Sequence, residues 1–388
     1  MESLIGDKKF YRMVLIVCIP IVIQNGFTNL ASLLDNIMIG QLGTLSMSGV
    51  SISNQLFQVF NVSVFGAMSG AGIFLAQFYG RGNRDGVHHC FRIKMLLGLL
   101  ISILAICIFK ILGPSLISLY LNDDPTDSMT TLSFGKQYMN VMLIGLIPFA
   151  ITQVFSSSLR ETGNTVLPMK ASVIAVIVNF CINYILIFGH FGFPKLGVIG
   201  AAIGTVVSRI VEMGINIAAG LNNNYLRDAM HLDKISGDIF KNVVKRGMPL
   251  LCNEILWSIS IALISQCYST RGLSAVAAIN VTTTVTNFFM IICYAMGNSI
   301  SIIVGQRLGA GEIAYAKDYD LKMVFMNFMM CLCIGVALLL CSSFIPQIYN
   351  TSIEVKSLAT SLLRVSACML PIISLYYSSY FTMRAGGK

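Results

Sequence analysis

Residues 13–40, MVLIVCIPIVIQNGFTNLASLLDNIMIG, form an apolar stretch of 28 residues that contains a single acid, Asp35. Wound as a helix at about 1.5 Å per residue it reaches roughly 42 Å, more than the ~30 Å hydrocarbon core of a bilayer. A chain with such a segment, and nine more like it, has few ways to fold. The spans fall at roughly 13–40, 46–78, 91–112, 134–158, 166–188, 196–221, 243–268, 274–304, 321–345 and 356–381. With 55% hydrophobic and 11% charged residues, the 388-residue chain is excluded from the soluble multidomain class that its length alone suggests. It reads as an all-α polytopic membrane protein.

The net charge of +9 does not point to nucleic acid, because the cations sit in short loops between apolar spans. With the N-terminus inside, 19 Lys and Arg residues fall on the cytoplasmic side and 5 on the other, among them Lys94 and Lys234 inside. The positive-inside rule therefore predicts a cytoplasmic N-terminus; the expected location is a bacterial-type plasma (inner) membrane. The 11 cysteines lie almost all in apolar stretches and read as reduced packing residues. Gly80-Arg81-Gly82 follows no strand and precedes no Lys-Ser/Thr, so it is no phosphate loop. His88 and His89 are adjacent and cannot share a helix face for a metal. No nucleophile elbow or zincin motif is present, so an enzyme is not expected, nor a cofactor beyond a coupling ion.

The sequence also repeats itself. Pro20 precedes Gln77 of QFYGRG by 57 residues, and Pro249 precedes Gln306 of QRLGAG by 57. Leu45-Ser46 and Ala67-Met68 recur as Leu273-Ser274 and Ala295-Met296; Pro148 and Arg160–Gly163 recur as Pro371 and Arg384–Gly387. The first unit has six spans, so the second begins on the same side of the membrane and the repeats are parallel. The expected organisation is an N-terminal lobe over 1–221, a polar cytoplasmic linker over 222–241 and a C-terminal lobe over 242–388. The second repeat stops two spans short of the first; copying one onto the other predicts about 58 residues more in a parent chain.

A carboxylate in the bilayer is expensive and by default marks an ion or proton path, so Asp35 is the first candidate; snorkelling to the outer interface is the alternative. Asn179 and Asn183 are four apart and share a helix face. From Lys170, Asn183 lies roughly 20 Å up, at a depth where it can meet Asp35; ordinary interhelical amide bonding is the alternative. Thr205 falls near the same depth, with a bond back to its own helix as its bland role. Glu254 is the acid of the second half, beside Asn253 and near Trp257, the only tryptophan, as a site for organic cations would be; a structural ion pair is its alternative. Arg209 and Glu212, three apart, are expected to neutralise each other. Arg364 has no evident partner.

LLDNIMIGQLGTLSMSGVSI, AQFYGRGN, GQRLGAGE and SLRETGNT together resemble the multidrug and toxic compound extrusion (MATE) transporters over essentially the whole chain. The resemblance implies a V-shaped, two-lobe transporter of two six-helix repeats, with the last two helices absent from this chain. It implies multidrug efflux: a secondary antiporter, expected to be monomeric, exporting organic cations in exchange for Na+ or H+. Asp35 then matches the cation-coupling acid, with Asn179, Asn183 and Thr205 as its neighbours and Na+ as a candidate metal ion at Asp35, while Glu254 matches a C-lobe acid. The rival readings are a lipid-linked precursor flippase of related architecture, which calls for several arginines in the cavity, and a truncated, inactive transporter.

Overall fold

The computed structural model describes residues 4–121, 125–230, 236–271, 273–348 and 351–387. Lys234, Lys388 and residues 231–235 of the polar segment lie outside them. Ten helical spans are long and apolar enough to cross a membrane, and no strand occurs among the described residues. They are built from eleven α-helices: α1 Lys8–Gly40, α2 Thr44–Gly80, α3 Arg84–Ser118, α4 Pro125–Met142, α5 Leu146–Glu161, α6 Val166–Phe188, α7 Val198–Leu221, α8 Gly237–Ser269, α9 Leu273–Gly309, α10 Ile313–Cys341 and α11 Ile353–Ala385.

The expected spans all appear, but most helices run past the apolar limits. Hydropathy marks the part of a helix that lies in hydrocarbon; backbone hydrogen bonding continues into the polar boundary. The fourth span is two helices, α4 and α5, joined by a 3-10 turn at Leu143–Gly145. Pro148, just beyond, has no N–H to offer the carbonyl four residues back, which favours a break of the regular ladder there.

The helices gather into two compact units. One comprises Phe27–Leu75 and Asn83–Ile255; the other comprises Met1–Gly26, Ala76–Gly82 and Leu256–Lys388. In the first, Phe91 and Phe155 pack edge to face at 5.0 Å between α3 and α5. Lys94, expected at the inner surface, is instead buried within α3 and paired at 2.5 Å with Glu161. It also donates to Ser157 Oγ at 3.0 Å. The start of the polar segment after α7 is folded onto the same unit. Leu226 and Ala229 are buried, Arg92 Nε donates to the Ala229 carbonyl at 3.1 Å, and Asn223 Nδ2 donates to Thr162 Oγ1 at 3.3 Å.

In the second unit, Phe10, Val14 and Ile21 of α1 pack with Met296 and Ile300 of α9, Met323 of α10 and Phe381 of α11. The repeat is legible here in the backbone. A Cβ on Gly80 would lie 1.9 Å from the Gln306 carbonyl oxygen, and one on Gly309 would lie 2.0 Å from that of Gln77. Gly80 and Gly309 are equivalent positions, as are Gln77 and Gln306, so the ends of α2 and α9 cross by reciprocal contacts that no side chain could enter. The turns that follow also match, with Gly82 at φ 70° and its counterpart Gly311 at φ 79°, a region that glycine enters without strain.

Candidate functional site: the polar seam beside Asp35

Most of α6 and α7 is Ile, Val, Ala and Gly, so the few polar residues between these helices must satisfy one another or face a polar cavity. They form a string. Asn183, fully buried, donates from Nδ2 to Asp35 Oδ1 at 2.6 Å and to Asn179 Oδ1 at 3.3 Å. Asn179 Nδ2 in turn approaches Thr205 Oγ1 at 3.4 Å. The hydroxyl of Thr205 donates to the Ala201 carbonyl at 3.1 Å, so its bond to its own helix and its place in the string coexist. Helix periodicity makes this possible, since Asn179 and Asn183 are one turn apart on α6. Gly204 makes room on α7, where a Cβ would lie 2.0 Å from Asn183 Oδ1.

That oxygen is buried without a hydrogen-bond partner. A carboxylate, two amide oxygens and a hydroxyl are hard oxygen donors, the type that hard cations take as ligands. Among the described residues no group of three or more His, Cys, Asp and Glu side chains is placed to hold a metal ion. Soft or transition-metal chemistry has no cluster to work with there.

Two neighbours were not among the expected site residues. Tyr138 of α4 is buried, donates from its hydroxyl to Asn54 Oδ1 at 3.2 Å, and lies within electrostatic reach of Asp35 and Arg209. Tyrosines are common in membrane helices, and nothing around QYMN in the sequence separates this one from packing aromatics. Arg209 is the second. Arg209 and Glu212 make no direct ion pair although they stay within electrostatic reach of each other: Glu212 accepts a hydrogen bond from Ser172 Oγ at 2.5 Å, and Arg209 Nη1 donates to the Gly145 carbonyl at 3.4 Å. The 3-10 turn brings that carbonyl to α7, so Arg209 reaches toward α4 and α5 while Glu212 turns to α6. Arg364 is engaged elsewhere, by Ser342 Oγ at 3.4 Å and Ser343 Oγ at 3.2 Å after the end of α10.

The residues expected in the other half are placed differently. Glu254 is half-buried on α8, with its Cγ 3.7 Å from where a Cβ on Gly66 would stand. Asn253 is exposed, and Trp257 is 41% exposed.

Known proteins resemble the chain in sequence and in fold. A probable multidrug resistance protein, NorM, of Thermotoga maritima is 26% identical over 361 residues, covering 92% of this chain and 76% of its own. A probable multidrug resistance protein, YoeA, of Bacillus subtilis is 24% identical and covers 100% of this chain and 84% of its own. The fold is that of a Vibrio cholerae MATE transporter, VcmN, with a TM-score of 0.89 at 18% identity over 98% of this chain and 84% of the other. The family profile matches residues 20–185 and again 249–388, beginning at the two prolines that anchor the repeat. The chain therefore belongs to the MatE family of membrane transporters.

Proposed function

We propose that this protein is a secondary antiporter for multidrug efflux: it exports organic compounds, cations among them, in exchange for Na+ or H+, with its N-terminus in the cytoplasm of a bacterial cell. The observation that carries the reading is the string Asp35–Asn183–Asn179–Thr205, which joins one buried carboxylate to three neutral oxygen-bearing side chains. Relatives named as multidrug resistance proteins support the substrate class.

Asn183 turns its NH2 to Asp35. Uptake of Na+ would reverse that amide and offer its oxygen to the ion; uptake of H+ would reverse it as well, so that the amide oxygen accepts from a protonated Asp35. Either change alters what holds α1 to α6. Binding shifts the balance between two conformations only through such a difference in affinity. Glu254, with Asn253 and Trp257 on α8, is assigned to the organic cation. The flippase reading calls for a cavity with several arginines, and Arg364 is occupied by Ser342 and Ser343.

The test is efflux activity, read as drug uptake into everted membrane vesicles, with the Na+ and pH gradients imposed separately. Efflux driven by at least one gradient and dissipated by the matching ionophore is the expected result. Equal dye movement with and without both gradients overturns the antiporter.

A further inference from the structure

Cys293 of α9 and Cys331 of α10 form a buried pair inside the second unit. The two thiols hydrogen-bond to each other. Asn327 fixes both: its Nδ2 donates to Cys293 Sγ at 3.8 Å, and its Oδ1 accepts from the Cys331 thiol at 3.7 Å. Helical spacing sets this up, since Asn327 and Cys331 are one turn apart on α10. Met290, three residues before Cys293, brings a thioether to the same cluster, which also holds Leu338, Leu363 and Leu370. A cysteine buried for its volume behaves as a small hydrophobe and needs no such orientation. Here two soft donors from neighbouring helices are held against each other.

We propose that Cys293 and Cys331 are a two-sulfur clamp that takes a thiophilic divalent cation, the mercuric ion. Binding replaces two S–H bonds with two S–metal bonds and releases two protons, with no change of oxidation state. Two bonds of about 2.3 Å, the length of a zinc–thiolate bond, bridge sulfurs up to about 4.6 Å apart. The ion therefore lies between thiols that already touch, and needs no further cavity. Donor type and charge together select it. Thiolates prefer soft cations. Zinc takes four ligands, and two thiols with one thioether fall short of that. A monovalent ion on two thiolates would leave a net negative charge beside Leu363 and Leu370, where an unpaired charge is costly. A divalent ion leaves the site neutral, and mercuric ion is satisfied by two opposed thiolates. Mercuric chloride is itself uncharged, so hydrocarbon around the helices does not bar its approach. Once bound, the ion ties α9 to α10, whatever the protein exports.

The purified full chain is incubated with mercuric chloride, washed with excess glutathione and weighed intact by native mass spectrometry. Glutathione strips or caps mercury held by one thiol, whereas two thiols fixed side by side compete through their effective concentration. Wild type is expected to keep one equivalent of mercury without bound glutathione. Cys333→Ser, which removes an exposed thiol of the same helix, should keep it too. Cys293→Ser and Cys331→Ser should each hold that equivalent at least about a hundredfold more weakly, and the double variant no more weakly than either. Should a serine variant fail to fold, the alanine variant at the same position decides. Equal retention by wild type and the single variants overturns the clamp, as does wild-type mercury that is lost to glutathione or carries it.

Discussion

Three asparagines are fully buried within helices: Asn216 on α7 bonds back to its own helix at the Glu212 carbonyl, while Asn183 on α6 and Asn327 on α10 bond across to other helices. Asn327 donates to Ser378 Oγ at 2.8 Å and to the Ser374 carbonyl at 3.5 Å, and accepts from the Cys331 thiol at 3.7 Å. Its surroundings are hydroxyls, thiols and a carbonyl, with apolar Met290, Leu363 and Leu370 packed around Cys293 and Cys331. Asn183 makes the same kind of amide contacts, yet one acceptor is a carboxylate and its own oxygen is left without a partner. One site is closed and neutral; the other is open by one acceptor and charged. A buried amide in a membrane protein is helix glue unless a charge stands next to it with coordination to spare.

The strongest way to break this comparison is to remove the charge and keep the shape. Asp35→Asn retains an oxygen for Asn183 Nδ2, so the helices should pack as before and the thermal midpoint in detergent should stay within a few degrees, for a change under about 1 kcal/mol. Gradient-driven efflux should fall to background, because an amide neither takes up a proton nor neutralises Na+. Vesicle efflux and a thermal melt of the same preparation check both halves. Efflux at the wild-type rate places the coupling site elsewhere.

How much of this could be read beforehand follows from what each signal depends on. The ten spans, the repeat and the shared depth of Asp35, Asn183 and Thr205 rest on hydropathy, fixed offsets and helical rise, all properties of local sequence, while the joining of these residues with Asn179 into one string is what the family resemblance implies. The Lys94–Glu161 pair and the fate of Arg209 depend on where α5 lies against α3 and on a 3-10 turn between α4 and α5. Lys94 follows Arg92 at the start of the third span, where charge alone places it at the inner surface. Arg209 and Glu212 satisfy the i, i+3 rule and still face different helices, because spacing on one helix says nothing of the partners that neighbouring helices offer. The crossing of α2 and α9 belongs between these cases: its motifs were visible as a repeat, but the close approach of backbone to backbone was not.

Lys94 and Glu161 offer an intermediate in the comparison, a charged site that is closed. Lys94→Met should destabilise the protein by about 3–5 kcal/mol, since it leaves Glu161 charged and away from water. Lys94→Met combined with Glu161→Met should recover a large part of that loss. Chemical denaturation of the single and double variants checks the size, and efflux per folded molecule should stay near wild type in the double variant. Efflux abolished in a stable double variant would move this pair from structure into the transport path.

The smallest effect should come from Asn327, where the argument reduces to hydrogen bonds between neutral groups. Asn327→Leu is close in volume and removes the donor to Ser378, whose hydroxyl can turn back to a carbonyl of its own helix. Interhelical hydrogen bonds of this kind contribute about 0.6 kcal/mol on average and at most about 1–2. A lowering of the thermal midpoint by a few degrees is therefore expected, with efflux within about twofold of wild type. The matched substitution Asn183→Leu should have a similar thermal cost and lose coupled efflux, because it strips Asp35 of its nearest polar ligand. Measured side by side, equal melts with unequal transport would confirm that the two buried amides differ in charge environment and not in packing. Equal transport would make Asn183 no more than the glue that Asn327 is, and would leave Asp35 to act without it.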